Sequence, residues 1–183
     1  MNTRTHSLKI GDIEVTVLND GQLSLPTGFF SNLPDAVAAG LGDHLTVGAS
    51  LWLVCSGDQR ILIDTGSAEA LKQMFPESGK AWSSLSGESP TDIVLTHMHA
   101  DHIGGLSDPA AFPGVKIHVA RAEWKFWTQE GLADAMPEDM RPMIAMIQQV
   151  AMGIADRIVL HDGETELAQG MHLIDLPGHT PGH

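Results

Sequence analysis

The sequence is poor in cysteine and in basic residues, and it has no long apolar run. Its single cysteine, Cys55, excludes an internal disulfide and lies in the apolar run LWLVC, where we expect a buried, unreactive thiol. Ten Lys and Arg residues against 23 Asp and Glu residues give a formal charge of −13. That charge argues against nucleic-acid and anionic-membrane partners, because phosphate contacts require cations. We expect a cytoplasmic protein, since no membrane span or secretory apolar segment is found.

The composition that remains is that of an ordinary globular protein. The chain has 183 residues, of which 43% are hydrophobic and 18% charged, enough for one domain with a hydrophobic core. Apolar periodicity predicts strands at residues 8–18, 50–55, 60–63, 92–96, 115–120, 157–160 and 172–176, and helices at 68–75, 121–129 and 137–155. Paired strands followed by strand–helix units predict an α/β (α+β) fold, with a mixed sheet covered by helices.

A long connection over residues 19–48 contains the pair Phe29-Phe30. Long connections are often functional, so these rings are candidates for an apolar substrate pocket together with Trp52. The alternative is a surface loop whose two phenylalanines pack into the core. The sequence favours neither reading.

The stretch THMHADHIGG, residues 96–105, places three histidines and one aspartate within six residues. It follows DIVLT, a short apolar run typical of a buried strand. If the chain stays extended after this strand, His97, His99 and Asp101 project to one side. We expect His102 to begin a turn. Gly104 and the next glycine would allow this turn to approach bound metal ions closely.

The residue types in this stretch indicate a metal site. Neutral imidazoles and a carboxylate suit Zn, Fe, Mn or Co better than Ca or Mg. Four candidate ligands exceed the three that one catalytic metal usually takes from a protein. Two metals that share the loop, with a bridging hydroxide, fit better. A histidine-rich loop that binds adventitious metal is the alternative.

The motif TxHxHADHxGG, with LIDTG upstream and PGHTPGH downstream, resembles the metallo-β-lactamase superfamily. The resemblance runs along most of the chain. The segment FPGVKIHVARAEWKFWT is similar to the branch of quorum-quenching lactonases and methyl parathion hydrolases. The resemblance implies an αβ/βα sandwich, of which this chain holds mainly the N-terminal half.

The resemblance also implies roles for individual residues. The first metal would be bound by His97, His99 and His179, and the second by Asp101 and His102. Asp64, in LIDTG, would orient the ligand loop from behind. Apart from the resemblance, Asp64 also suits the cap of a helix that begins at Ala68, and the two roles are compatible. Asp101 is also the candidate catalytic group, assisting proton transfer to the leaving group.

The chain departs from the family pattern near its end. The family's bridging aspartate and final histidine follow the PGHT segment, and this sequence ends four residues after His179. Asp175 precedes His179 and therefore does not match the bridging position. We expect His183 to be a hydrogen-bonded loop histidine rather than a ligand. The expectation is a single domain over residues 1–183, truncated at its C-terminus, with the second metal site incomplete.

The function that the resemblance implies is a metal-dependent hydrolase. Its cofactors would be two divalent metal ions, zinc first and Fe, Mn or Co as alternatives. A metal-activated hydroxide would attack a small ester-type substrate such as a lactone, an aryl ester or an organophosphate. The alternatives are a thioesterase of glyoxalase II type and an inactive metal-binding fragment. A nuclease is the weakest reading because of the negative charge. The expected partners are a small-molecule substrate and a second copy of the chain in a homodimer.

Overall fold

A mixed sheet of seven strands forms the centre of the computed structural model, which describes residues 5–30, 33–69, 71–81, 85, 89–108 and 110–183. The order of the strands in the sheet is their order along the chain: β1 (His6–Ile10), β2 (Ile13–Pro26), β3 (His44–Ser56), β4 (Gln59–Ile63), β5 (Asp92–Val94), β6 (Lys116–Ala120) and β7 (Ile158–His161). The first four strands pair antiparallel, and β4 to β7 pair parallel. The predicted mixed sheet is confirmed.

Helices cover one face of this sheet. The helices are α1 (Asp35–Ala38), α2 (Ala100–Ile103), α3 (Arg121–Thr128), α4 (Leu132–Ala135) and α5 (Arg141–Ile154), with 3-10 turns at Thr27–Phe29, Gly104–Ser107 and Ala155–Arg157. Of these, α2 to α5 contribute buried side chains to the core on that face. Helix α5 buries the apolar face predicted from its three- and four-residue spacing, including Ile144, Ile147 and Ile154. These side chains pack with Ile93 and Ile117 of the sheet in the main core. Within the described ranges, no helix is both long and apolar enough for a bilayer.

A small hairpin lies on the opposite face of the sheet. It consists of β8 (Thr165–Ala168) and β9 (Met171–Leu173), paired antiparallel. Ala168 packs with Ile61 and Val94 of the sheet in a second, smaller core. The polar strand β8 was not predicted from the sequence, because its alternation is short and interrupted by charged residues.

The antiparallel part differs from the prediction in two places. Residues 8–18 form a hairpin rather than one strand, because Gly11 adopts a left-handed φ of 61° in a two-residue turn. Strands β2 and β3 then extend far into the predicted connection 19–48 and pair from Glu14 with Cys55 to Pro26 with His44. Phe29 is 68% exposed, so the alternative in which both phenylalanines pack into the core is wrong.

A bulge in β2 turns Asp20 into the interior. The register shifts between Asn19 and Gly21, and Asp20 is 1% exposed. Its carboxylate accepts hydrogen bonds from the backbone N–H groups of Ser67 and Ala81, each at 3.0 Å. These bonds fasten the 67–81 segment to the sheet.

The helix predicted at residues 68–75 is wrong. The described residues of this segment form turns, in which the N–H of Phe75 donates to the carbonyl of Leu71 at 2.7 Å. Ala68 has a φ of 42°, which no right-handed helix accepts. The hydrogen bond from Ser67 to Asp20 fixes the bent backbone at the start of the 68–75 segment. The helix propensity of these residues is too weak to displace that hydrogen bond.

Candidate metal centre

The histidine-rich loop leaves the C-terminal end of β5 and turns into helix α2. His99 is the last extended residue, with φ −65° and ψ 154°. Its carbonyl accepts hydrogen bonds from the N–H groups of His102 and Ile103, at 2.9 and 3.1 Å. The expectation of an extended chain through Asp101 is therefore wrong. Asp101 and His102 lie in the first turn of α2, where consecutive side chains point in different directions around the helix axis.

The structure brings Asp64 to this loop from the end of the neighbouring strand β4. One carboxylate oxygen of Asp64, Oδ1, accepts from the N–H of Thr96 at 2.8 Å. The other, Oδ2, lies 2.9 Å from the hydroxyl of Thr96 and 2.8 Å from Nδ1 of His102. Asp64 itself has a φ of 61°. Its alternative role as a helix cap is wrong, because the segment after it is not helical.

These contacts assign tautomers to two histidines. A carboxylate oxygen only accepts, so the Thr96 hydroxyl donates to Asp64 and is free to accept from Nδ1–H of His97 at 3.0 Å. His102 donates its own Nδ1–H to Asp64. In His97, and in His102 whenever that ring is neutral, Nε2 is then the nitrogen that carries the lone pair. Orientation of an imidazole by a partner on its second nitrogen is characteristic of metal ligands.

Three imidazoles converge although one of them is distant in sequence. His97, His99 and His179 each offer a ring nitrogen, and these nitrogens lie within 4.8 Å of one another. Nδ1 of His99 faces Nε2 of His179 at 3.1 Å. Nε2 of His97 is buried and has no hydrogen-bond partner among the described residues. An orphaned buried nitrogen beside two facing nitrogens fits a divalent cation with imidazole ligands.

The electrostatics of this cluster keep two of the imidazoles neutral. Burial, followed by the charges of neighbouring histidines, lowers the pKa of His97 to about 2. Burial and the proximity of His179 lower the pKa of His99 to about 4. A neutral imidazole is the form that binds a metal, so both rings are ready for it at neutral pH without losing a proton.

Asp101 and His102 form a second pair of candidate ligands. Oδ2 of Asp101 lies 3.4 Å from Nε2 of His102. Burial acts to lower the pKa of His102, but hydrogen bonds with Asp101 and Asp64 raise it to about 10. Burial likewise acts to raise the pKa of Asp101, and the hydrogen bond and charge of His102 reverse this, so its pKa is lowered. The carboxylates of Asp101 and Asp64 therefore favour positive charge at the position of His102.

The structure places His183 beside the cluster. Its ring centroid lies 4.9 Å from that of His97 and 5.7 Å from that of His179. The carbonyl of His183 accepts from the N–H of Leu176 at 2.6 Å, which closes the PGHTPGH segment into a loop.

The three residues proposed for an apolar pocket do not join this cluster. Phe29 lies in a 3-10 turn after β2, and Trp52 is 41% exposed on β3, opposite Val17 and Ile63. A groove runs beside the loop instead, and Thr96, His161, Leu173, Leu176 and His183 are among its lining residues. Neither Trp52 nor the phenylalanines of residues 29 and 30 line that groove.

Two glycines and one glutamate near the loop have roles that the sequence analysis missed or misassigned. A Cβ at Gly104 would lie 2.5 Å from the carbonyl oxygen of Ser67, so Gly104 approaches the backbone after LIDTG rather than the metals. Glu123 of α3 is fully buried, and it receives the N–H of Gly182. The signal for Glu123 was its spacing from Trp127, since positions i and i+4 share a helix face and this face is apolar.

Comparisons with known proteins agree with this geometry. A profile of the metallo-beta-lactamase superfamily matches residues 46–183. The probable metallo-hydrolase YqgX of Bacillus subtilis is 30% identical over 137 residues, covering 73% of this chain and 57% of its own. The acyl-coenzyme A thioesterase MBLAC2 of Bos taurus is 30% identical over 147 residues, covering 73% and 52%.

Among solved structures, the dizinc quorum-quenching lactonase AidC in complex with a product superposes with a TM-score of 0.81. It is 26% identical, and the match covers 97% of this chain and 68% of that one. The chain spans about half the length of the curated relatives it matches, 57% and 48% for the first two. The predicted resemblance is confirmed: this chain belongs to the metallo-β-lactamase superfamily.

Proposed function

We propose that this chain carries the metal centre of a metal-dependent hydrolase that acts on small ester-type substrates, with lactones the favoured class. The observation that carries the proposal is the convergence of His97, His99 and His179. Their ligand nitrogens lie within 4.8 Å of one another, and Nε2 of His97 is buried without a partner in the described chain. Burial of an unpaired polar atom is costly, so an uncompensated nitrogen at this point favours a cation as its partner.

The ligand roles follow from the contacts. His97, His99 and His179 would hold one divalent ion, and Asp101 and His102 would contribute to a second. When bound, such ions polarise a carbonyl or phosphoryl oxygen and lower the pKa of water toward neutrality. Zinc is the metal proposed, because AidC is described as a dizinc enzyme and imidazole with carboxylate suits zinc.

The chain's own groups prepare the site. Asp64 fixes the ring orientation of His102 directly, and that of His97 through the Thr96 hydroxyl. Asp101 is the proposed proton-transfer group. Its side chain is 27% exposed, and its Oδ2 lies 3.4 Å from Nε2 of His102. Its lowered pKa keeps it ionised and able to accept a proton at neutral pH.

The substrate class rests on relatives and on the groove. AidC is described as a lactonase bound to a product, whereas MBLAC2 is named an acyl-coenzyme A thioesterase. The groove beside the loop is lined by apolar Ile63, Val94 and Leu173 together with imidazoles. This lining favours an uncharged acyl substrate. A thioesterase is the second candidate, supported by the named relative.

Metal content and hydrolysis, measured on the same samples, test the proposal. Elemental analysis after zinc loading should find bound zinc in the wild type, and His99→Ala should lose it. His44→Ala is the matched control, because His44 is exposed on β3 and should retain the metal. A panel of lactones, aryl esters, phosphotriesters and thioesters then measures kcat/KM, with lactones expected to be the best substrates.

The outcomes separate the alternatives. Two zinc ions per chain with hydrolysis support a dinuclear enzyme, and one ion without hydrolysis supports an inactive metal-binding fragment. Higher kcat/KM for thioesters than for lactones replaces the favoured class by the second candidate. Unchanged zinc content in both His97→Ala and His99→Ala overturns the ligand assignment.

A further inference from the structure

Glu123 is a fully buried carboxylate outside the candidate ligand set. It lies in the first turn of α3 and is 0% exposed. Burying a charged group is unfavourable unless hydrogen bonds compensate it. A glutamate in this position therefore needs donors from the surrounding segments.

Three donors from three different places meet at this carboxylate. Oε1 accepts from the backbone N–H of Met98 at 2.8 Å and from Nε1–H of Trp127 at 2.6 Å. Oε2 accepts from the backbone N–H of Gly182 at 3.1 Å. Met98 is 25 positions away in the chain and Gly182 is 59 positions away, so the carboxylate joins segments that are distant in sequence.

Two of these segments carry candidate metal ligands. Met98 lies between His97 and His99, and Gly182 lies three residues after His179 in the closed PGHTPGH loop. The third donor, Trp127, also reaches the site, since its ring packs edge-on against that of His99 with centroids 5.3 Å apart. Each donor to Glu123 therefore lies in a segment that carries a candidate ligand or packs against such a ligand.

The approach of Gly182 to Glu123 is unusually close. A Cβ added at Gly182 would lie 2.2 Å from the backbone nitrogen of Glu123 and 2.7 Å from its Cβ. Both are closer than real Cβ contacts, so only glycine permits this distance. The loop that carries His179 is thus held at the start of α3 by close packing at Gly182 as well as by the hydrogen bond from Gly182 to Glu123.

We propose that Glu123 is a positioning residue that sets the distance between the His97–His99 segment and the His179 loop, and thereby the geometry of the first metal. The inference rests on the proposed metal site. Glu123 does not contact the ligand nitrogens, and it acts through the backbone at Met98 and Gly182. A glutamate that merely filled the core would not need to join both ligand-bearing segments.

The test compares Glu123→Gln with the wild type in zinc affinity and in the visible spectrum of the cobalt-substituted protein. Glutamine keeps the size of the side chain but has one acceptor oxygen and an NH2 group, so it cannot serve all three N–H donors. We expect zinc affinity, measured by competition with a chromophoric chelator, to fall about 10–100-fold. The cobalt bands should also shift, because the ligand geometry changes.

Two further variants keep the test decisive. Asp20→Asn is the matched control: Asp20 is a buried carboxylate with two backbone N–H donors, but neither belongs to the 97–99 or 179–182 segments. It should lower the melting temperature and leave zinc affinity and the cobalt spectrum unchanged. Gly182→Ala perturbs the same contact from the other side, so it should reproduce the loss of affinity and the spectral shift if Glu123→Gln does not fold.

The possible results distinguish a failure of the proposed metal site from a failure of the positioning role of Glu123. If the wild type does not bind zinc through His97 and His99, the proposed metal site is wrong. If the wild type binds zinc and a folded Glu123→Gln or Gly182→Ala protein shows the same affinity and cobalt spectrum, only the positioning role is overturned. A drop in zinc affinity for Asp20→Asn equal to that for Glu123→Gln also overturns it.

Discussion

At the scale of single residues, Asp64 contacts the ligand loop through both of its carboxylate oxygens. Its two oxygens receive one backbone N–H, one hydroxyl and one imidazole N–H, from Thr96 and His102. All three partners lie within the ligand loop or immediately before it. One side chain therefore fixes both the path of the loop and the tautomers of its histidines.

Replacing Asp64 by asparagine should weaken metal binding while the protein still folds. The amide NH2 cannot accept from either Thr96 or His102, so at least one of these partners loses its bond. We expect zinc affinity to fall about 10–100-fold, measured by chelator competition. Asp92→Asn is the control, because Asp92 lies at the other end of β5 from the loop. Its Oδ1 pairs with Nε2 of His118 at a distance of 3.0 Å. Equal zinc affinity in Asp64→Asn and the wild type would count against the orienting role.

The residues of the site differ in how far the sequence reveals them. The loop ligands stand within six consecutive positions, so their spacing alone indicates a metal site. Glu123 and Asp20 act on backbone groups that lie 25 to 61 positions away. No local pattern encodes such a distant backbone partner, although the spacing of Glu123 from Trp127 places this acid on an apolar helix face.

At the scale of elements, the turn from α2 into the 3-10 segment Gly104–Ser107 packs directly on the backbone after β4. The N–H of Gly105 donates to the carbonyl of Gly66 at 3.1 Å, and a parallel bridge joins Gly66 to Ile103. The N–H of Thr65 donates to the carbonyl of His102 at 2.7 Å. These contacts hold helix α2 and the 3-10 segment against the backbone that follows β4.

Gly104→Ala should destabilise the protein, because the new Cβ would lie 2.5 Å from one backbone oxygen and 2.8 Å from another. Both oxygens belong to the backbone of residues 66–67, which cannot move aside as a flexible side chain can, so we expect a loss of about 1–3 kcal/mol in the free energy of unfolding. Urea denaturation measures it.

Gly153→Ala is the matched control for Gly104→Ala. Gly153 lies in α5, and a Cβ added there would have nothing within 4 Å, so alanine should stabilise by about 0.5–1 kcal/mol. Equal unfolding free energies for the two variants would show that Gly104 is not closely packed.

Elements were predictable where their pattern is local and strong. Helix α5 and the strands of the parallel part follow their apolar periodicity, within a few residues at their ends. The helix predicted at 68–75 failed because Asp20 holds Ser67 from 47 positions away. The prediction of an extended ligand loop failed because helix α2 begins directly after His99. The carbonyl of His99 accepts the first hydrogen bonds of this helix.

At the scale of the whole molecule, the imidazole cluster makes stability depend on pH. The pKa values of His97 and His99 are about 2 and about 4 in the folded chain, against 6.5 in an unfolded one. Below pH 6.5 the unfolded chain therefore binds more protons, and stability falls as the pH decreases. The pKa of His102 is about 10, so its contribution is present below pH 6.5 and is lost as the pH rises through about 10.

The metal-free protein should therefore be most stable near pH 6.5. Melting temperatures measured in EDTA across the pH range test this. His102→Asn should remove the fall on the alkaline side, while the exposed His44→Ala should retain it. A profile that stays flat from pH 6.5 to 10 in the wild type would contradict the raised pKa of His102.

Nδ1 of His99 and Nε2 of His179 lie 3.1 Å from each other, although the two residues are 80 positions apart in the chain. At a synthesis rate of about 5–20 residues per second, the ribosome adds the second of them about 4–16 s after the first. During that interval His97 and His99 are the only members of the proposed three-histidine set that the nascent chain contains. Under this proposal the first ion acquires its third imidazole only when residue 179 has emerged and docked. The complete three-histidine set therefore depends on a contact between segments that the ribosome synthesises seconds apart.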